Sequence, residues 1–269
     1  MSRIAARFAA LKAQDRAGLA TFITGGDPDM PRFEAVLAGL PEAGADLIEI
    51  GMPFSDPMAD GPAVQAAGLR ALKAGTKLAQ ILDAVARFRA NDKTTPVVLM
   101  GYYNPIFRFG GELFAKAAAS AGVDGLIIVD LPPEESDEFA PFADAAGLDF
   151  IRLTTPTTDA VRLKTVLRGA SGFLYHVAIA GITGTRSADA TEVAAMVGSI
   201  RQQTDLPIVV GFGIRTPAQA AEIARFADAA VVGSAIVDTV AAHLDGAGLA
   251  AAVHAQVRSL AQGVRGARR

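Results

Sequence analysis

Two carboxylates eleven positions apart open the case for chemistry. The segment "ADLIEIGMPFSDPMADGPAVQ" (45–65) places Glu49 inside an apolar run and follows it with a loop rich in Asp and Pro. A buried carboxylate without partners is costly, so such a residue usually has a use. With period-two alternation Leu47, Glu49 and Gly51 share one face, and Ile48 and Ile50 the other. Low dielectric around an inward Glu49 would raise its pKa into the range of a general acid/base. The competing account is an internal salt bridge, for which Arg152 could serve. Asp56 and Asp60 stand in "SDP" and "ADGP", which are also good turn sequences. Asp130, before "LPP", could cap a turn or serve the site.

Glycines supply a second kind of chemistry. "GITG" (181–184), "GFGI" (211–214) and "GSAIV" (233–237) let backbone N–H groups approach an anion, and Ser234 adds a hydroxyl. Aromatic and apolar residues supply a third. Phe22, Met100, Tyr102, Tyr103, Ile127, Val129, Tyr175, Phe212 and Val232 could wall a flat pocket. A ligand with an aromatic group at one end and a phosphate at the other would suit both sets.

The elements that must hold these residues are short β-rich runs at 19–24, 45–50, 96–102, 125–130, 148–154, 172–177, 206–212 and 229–234. Helical patterns alternate with them, at 31–43, 111–121, 134–146, 189–203 and 217–227. Near-continuous apolar strands alternating with helices predict a parallel sheet covered on both faces. Eight such units predict an α/β fold, a (β/α)8 TIM barrel, with the site at the C-terminal ends of the strands. No GxGxxG follows the first strand, which argues against an open dinucleotide-binding sheet. The second gap is long and holds extra helices at 62–74 and 78–90. An extra N-terminal helix at 1–14 could plug the barrel bottom. With no linker or composition break, 1–269 reads as a single domain.

Bulk composition narrows the classes. The chain has 269 residues, a net charge of -3, three histidines and no cysteine. Disulfides and thiolate chemistry are excluded, no metal cluster is expected, and nothing favours nucleic acid. "MSRIAARFAALKAQDRAG" is too polar for a signal peptide, and no run would span a bilayer, so a soluble cytoplasmic protein is expected. The basic tail "RSLAQGVRGARR" reads as a solvated helix end.

With those residues in view, the sequence resembles the tryptophan synthase α subunit family nearly end to end. "LIEIGMPFSDPMADGP" carries most of the likeness, with "TFITGGDP", "MGYYNPIF", "DGLIIVDLPPEE", "GITG", "GFGI" and "GSAIV" in order. The resemblance implies cleavage of indole-3-glycerol phosphate to indole and glyceraldehyde 3-phosphate. It implies Glu49 as proton shuttle and Asp60 as the group that holds the indole N–H. It implies Phe22, Tyr102, Tyr175 and Thr183 around the indole and glycerol, and Gly184, Gly213, Gly233 and Ser234 around the phosphate. No cofactor is implied in this chain; pyridoxal phosphate belongs to a β subunit partner in an α2β2 complex. That partner would dock on the rim at Pro53, Asp56, Pro57 and Asn104. The loop 180–192 would act as a lid. Two other readings are another phosphate-binding barrel enzyme, such as an isomerase or epimerase, and a non-catalytic regulatory barrel. Epimerases often need metal-binding His and Asp at strand ends, where only His176 lies close. A regulatory barrel has no use for Glu49 with Asp60.

Overall fold

The computed structural model describes residues 2–178, 190–211, 213–246 and 248–268. In chain order these form α1 (Arg3–Ala13), β1 (Gly18–Thr24), α2 (Met30–Ala43), β2 (Leu47–Gly51), α3 (Pro62–Lys73), α4 (Leu78–Asn91) and β3 (Val97–Gly101). Next come α5 (Tyr103–Phe109), α6 (Gly111–Ala121), β4 (Gly125–Ile128), a 3-10 turn (Pro133–Glu138), α7 (Ala140–Ala145), β5 (Asp149–Phe150) and β6 (Arg152–Thr154). Then follow α8 (Ala160–Leu167), β7 (Leu174–Val177), α9 (Ala190–Arg201), β8 (Ile208–Gly211), α10 (Pro217–Ala224), β9 (Ala229–Val232), α11 (Ser234–Ala241) and α12 (Leu249–Gly266).

The paired strands are all parallel, in the order β5-β4-β3-β2-β1-β9-β8-β7-β6. The two ends of that order are halves of one stretch, so the ring closes as an eight-stranded barrel with helices around it. Residues 148–154 read as one strand in the sequence; the structure divides them at Ile151. The first half ladders with β4 and the second with β7. The Ile151 N–H still reaches the Leu126 carbonyl at 3.0 Å, so the break marks a change of partner.

Alternation along the strands sorts the core. Leu47, Val98, Ile127, Ile151, Tyr175, Val209 and Val231 fill the barrel interior. Ile48, Ile50, Leu99, Phe150 and Val210 face the helix layer. The first helix closes the bottom as expected: Ile4, Phe8 and Leu11, at the i, i+4, i+7 spacing of one helix face, join the interior cluster. The Phe8 ring meets Phe173 at 5.8 Å between centroids.

Three short helices, α5, α8 and α11, escaped the sequence patterns. The pattern at 134–146 is two pieces, a 3-10 turn and α7, joined at Phe139. The basic tail is more than a solvated helix end. In α12, Leu249, Val253, Val257, Leu260, Ala261 and Val264 are buried, and Arg268 donates to the carbonyls of Ala224 and Ala227 at 2.9 and 2.7 Å. Among the described residues no helix is long and apolar enough to cross a membrane.

Candidate active site

Glu49 lies in β2, in register with Phe22 of β1 and Val98 of β3. It is fully buried, and neither carboxylate oxygen has a hydrogen-bond partner among the described residues. Burial alone pushes its pKa up to about 8, because charge is disfavoured away from water. Glu49 is therefore protonated at neutral pH in this state and can donate. The salt bridge weighed as an alternative does not form. Arg152 shares the outer face of its strand with Phe150, and its guanidinium carbon lies 4.0 Å from that ring's centre. Its Nη1 donates weakly to the Leu131 carbonyl at 3.4 Å. Tyr175 is the ionisable neighbour instead: burial first, then the charge of Glu49, pushes its hydroxyl pKa up.

Asp60 ends the loop between β2 and α3. The Gln65 amide donates to its backbone carbonyl at 2.8 Å and to that of Pro57 at 3.3 Å. The Tyr102 hydroxyl accepts the Ala59 N–H at 3.0 Å. Desolvation raises the Asp60 pKa, and a hydrogen bond from Tyr102 offsets part of that rise.

Asp60 shares a cleft with Phe22, Met100, Tyr102, Val64 and Gln65. Its cavity volume is about 20 Å³, on the scale of one water molecule. Position 51 admits the Phe22 ring only because it is glycine, and position 211 does the same for Tyr175. The α3 wall is braced from below by Arg70, which grips the buried Asp27 through two contacts of 2.8 Å. Val64, Gln65 and Gly68 were not foreseen. They follow the proline that starts α3, and no sequence pattern marks them as facing the cleft.

The remaining expected residues fall around or below this cleft. Ile127 is fully buried in the interior cluster and does not line it. Gly233 stands before α11, where an added Cβ would lie 3.3 Å from that of Phe22. Ser234 begins α11, whose first-turn N–H groups and dipole favour an anion. Gly213 has φ +66°, a conformation suited to glycine. Thr183, Gly184 and Phe212, with most of the expected lid, lie outside the described residues. On the rim, Asp56 and Asn104 are exposed while Pro53 and Pro57 are half-buried. Asp130 accepts the Tyr103 N–H at 2.8 Å, which caps α5 from the neighbouring loop. His176 is buried against Thr154 at 3.0 Å, and burial pushes its pKa down to about 4. Among the described residues no group of three or more His, Asp or Glu could hold a metal ion.

Comparison with known proteins agrees with this geometry. The family described as "Tryptophan synthase alpha chain" matches residues 8–265. Tryptophan synthase subunit alpha from Legionella pneumophila str. Paris is 40% identical, with a TM-score of 0.91 over 98% of each chain. A second structure, tryptophan synthase alpha chain from Legionella pneumophila subsp. pneumophila, is 38% identical, with a TM-score of 0.90 over 98% of this chain and 97% of that one. A tryptophan synthase structure from Mycobacterium tuberculosis is 36% identical, with a TM-score of 0.90 over 98% of each chain. The inward Glu49, the Asp60 loop and these matches agree: the chain belongs to the tryptophan synthase alpha chain family.

Proposed function

We propose that Glu49 and Asp60 together perform the family reaction, the cleavage of indole-3-glycerol phosphate to indole and glyceraldehyde 3-phosphate. The family is a carbon–carbon lyase that needs no cofactor of its own; pyridoxal phosphate sits in the β subunit. The observation that carries the reading is Glu49: buried, unpartnered and protonated at neutral pH. Its proton goes to the indole ring carbon that bears the side chain, leaving a cationic indolenine. The Glu49 carboxylate then takes the proton of the adjacent side-chain hydroxyl. The carbon–carbon bond breaks, its electrons return to the ring, and the hydroxyl carbon becomes the aldehyde. Glu49 ends protonated, as it began. Asp60 accepts the indole N–H and stabilises the positive charge.

Phe22, Met100, Tyr102, Tyr175, Thr183 and Phe212 enclose the indole and glycerol, with Ile127 packed behind them in the barrel interior. Gly184, Gly213, Gly233 and Ser234 hold the phosphate with backbone N–H groups and a hydroxyl. The rim residues Pro53, Asp56, Pro57 and Asn104 dock a β subunit in an α2β2 complex in the cytoplasm, so that indole passes on for condensation with serine. The whole chain, 1–269, acts as one domain.

The test is indole release from indole-3-glycerol phosphate by the purified chain without added cofactor. Glu49→Gln and Asp60→Asn should each retain the fold and lose roughly 100- to 10,000-fold in turnover. Near-normal turnover in either folded variant removes that residue from the mechanism.

A further inference from the structure

Tyr102 makes contacts that an apolar wall residue would not need. Its ring is 2% exposed and lies 5.3 Å from Phe54, centre to centre. Its hydroxyl oxygen accepts the Ala59 N–H at 3.0 Å. That bond fixes which way the phenol works. A phenol has one proton, and an oxygen receiving an N–H must direct that proton elsewhere. Asp60 follows Ala59 in the chain and shares the cleft with Tyr102, and the Tyr102 hydroxyl favours the charged form of its carboxylate. The Gln65 amide bonds the Asp60 backbone carbonyl. It anchors the main chain and leaves the carboxylate's direction open.

We infer that Tyr102 is the positioning residue for Asp60: its hydroxyl ties the end of the loop to the strand-three exit and aims the carboxylate across the cleft. One oxygen does both, accepting from Ala59 and donating to the residue that follows it. The role is separate from any contact between the Tyr102 ring and an indole. It rests on the assignment of Asp60 given above.

The test is Tyr102→Phe, which keeps the ring and removes only the hydroxyl. Turnover of indole-3-glycerol phosphate should fall about tenfold or more, since misplacement of a catalytic group is costly. KM should change less than kcat, because the ring remains. Asp60 and Tyr102 are the ionisable residues that line this cleft, and Glu49 beneath them is protonated across the acidic range. Loss of the hydroxyl removes a contact that favours the Asp60 carboxylate, so the acidic limb of kcat/KM should move to higher pH. A role confined to packing would leave that limb in place. Exchange of the Ala59 amide proton, followed by nuclear magnetic resonance, should quicken in the variant.

Asp60→Asn separates the two ideas. In that background Tyr102→Phe should add little further loss, because its effect runs through the carboxylate. Turnover by Tyr102→Phe within twofold of the parent, with an unmoved acidic limb, overturns the positioning role while an inactive Asp60→Asn leaves the Asp60 assignment standing. An equal loss from Tyr102→Phe in both backgrounds also overturns it. Full activity in Asp60→Asn overturns the Asp60 assignment and the positioning role with it.

Discussion

The Phe22 ring lies across Gly51, so close that a Cβ at position 51 would stand 2.6 Å from Phe22 Cζ. Phe22 stands in register with Glu49, and its ring reaches one layer up to Gly51, which pairs with Thr24 across the two strands. Gly51→Ala should therefore tilt the Phe22 ring into the cleft rather than unfold the barrel. Overpacking of this kind costs about 1–3 kcal/mol. KM for indole-3-glycerol phosphate should rise by roughly tenfold, the scale of one misfitting methyl group. Denaturation curves and steady-state kinetics on the same sample check both effects; an unchanged KM would show that Phe22 does not bound the ligand.

Glu49 should leave a mark on stability as well as on rate. Its pKa rises from 4.5 unfolded to about 8 folded, so the folded state holds the proton more tightly. The stability associated with that proton is fully present below pH 4.5 and is lost as pH rises towards 8. The loss is on the order of 5 kcal/mol at most. Glu49→Gln cannot ionise and escapes it. The variant should match the parent near pH 4.5, gain on it steadily to pH 8, and keep the advantage above. Urea midpoints across that range provide the measurement. Parallel curves would mean that Glu49 is not held neutral by burial.

In the proposed reaction the same proton should set the alkaline limit of catalysis. The first step needs the acid form, so kcat/KM should fall as pH rises past about 8 in the free enzyme. Asp60 pulls the other limb, because the indole N–H needs an ionised acceptor, and its pKa is raised from the ordinary value chiefly by desolvation. The profile should be bell-shaped. A flat profile through pH 9 would contradict a protonated Glu49 as the starting state.

Period-two alternation made Glu49's inward direction readable, because Ile48 and Ile50 are unambiguous helix-facing residues. The same rule applied to 148–154 would have placed Arg152 beside Phe150 and away from Glu49. Alternation there is masked by a run in which Phe150, Ile151 and Leu153 are all apolar. Glycine turns at strand ends marked Gly213, which has φ +66°, and Gly233, which precedes α11. The α3 wall was not visible, because Gln65 acts through an amide contact with the turn preceding its own helix, which no periodicity reports. Helices α5, α8 and α11 have seven or eight residues, about two turns, too few to establish an amphipathic repeat. Asp130 gained a role only in three dimensions, since it caps a helix that begins 27 positions earlier.

Arg152 offers a check on the outer face. It is 4% exposed, its Nε and Nη2 have no partner among the described residues, and burial lowers its pKa. A buried charge so weakly compensated contributes little stability, and an apolar residue of similar length is often as good or better. Arg152→Met should fold with stability equal to or above that of the parent and cleave substrate at the parental rate. A loss of cleavage beyond about tenfold would revive a link between Arg152 and Glu49.

The rim decides the partner question, and the structure suggests a better probe than the loop prolines. Pro57 lines the cleft itself and its carbonyl receives Gln65, so a change there would confuse docking with catalysis. Phe107 is 60% exposed and Met58 82%. Large apolar side chains left in water, one on the loop between β2 and α3 and one on α5, suit a protein contact. Phe107 sits on α5, which Asp130 secures at its start, and the helix carries Asn104 on the same rim. Adding β subunit should raise the cleavage rate of the parent protein. Phe107→Asp should leave the rate of the isolated chain unchanged, since the residue is absent from the cleft. It should then raise the β subunit concentration needed for half the gain by about tenfold or more, the usual cost of losing a central aromatic anchor. If saturation occurs at the parental concentration, docking lies elsewhere on the barrel, and the roles of Glu49 and Asp60 are unaffected.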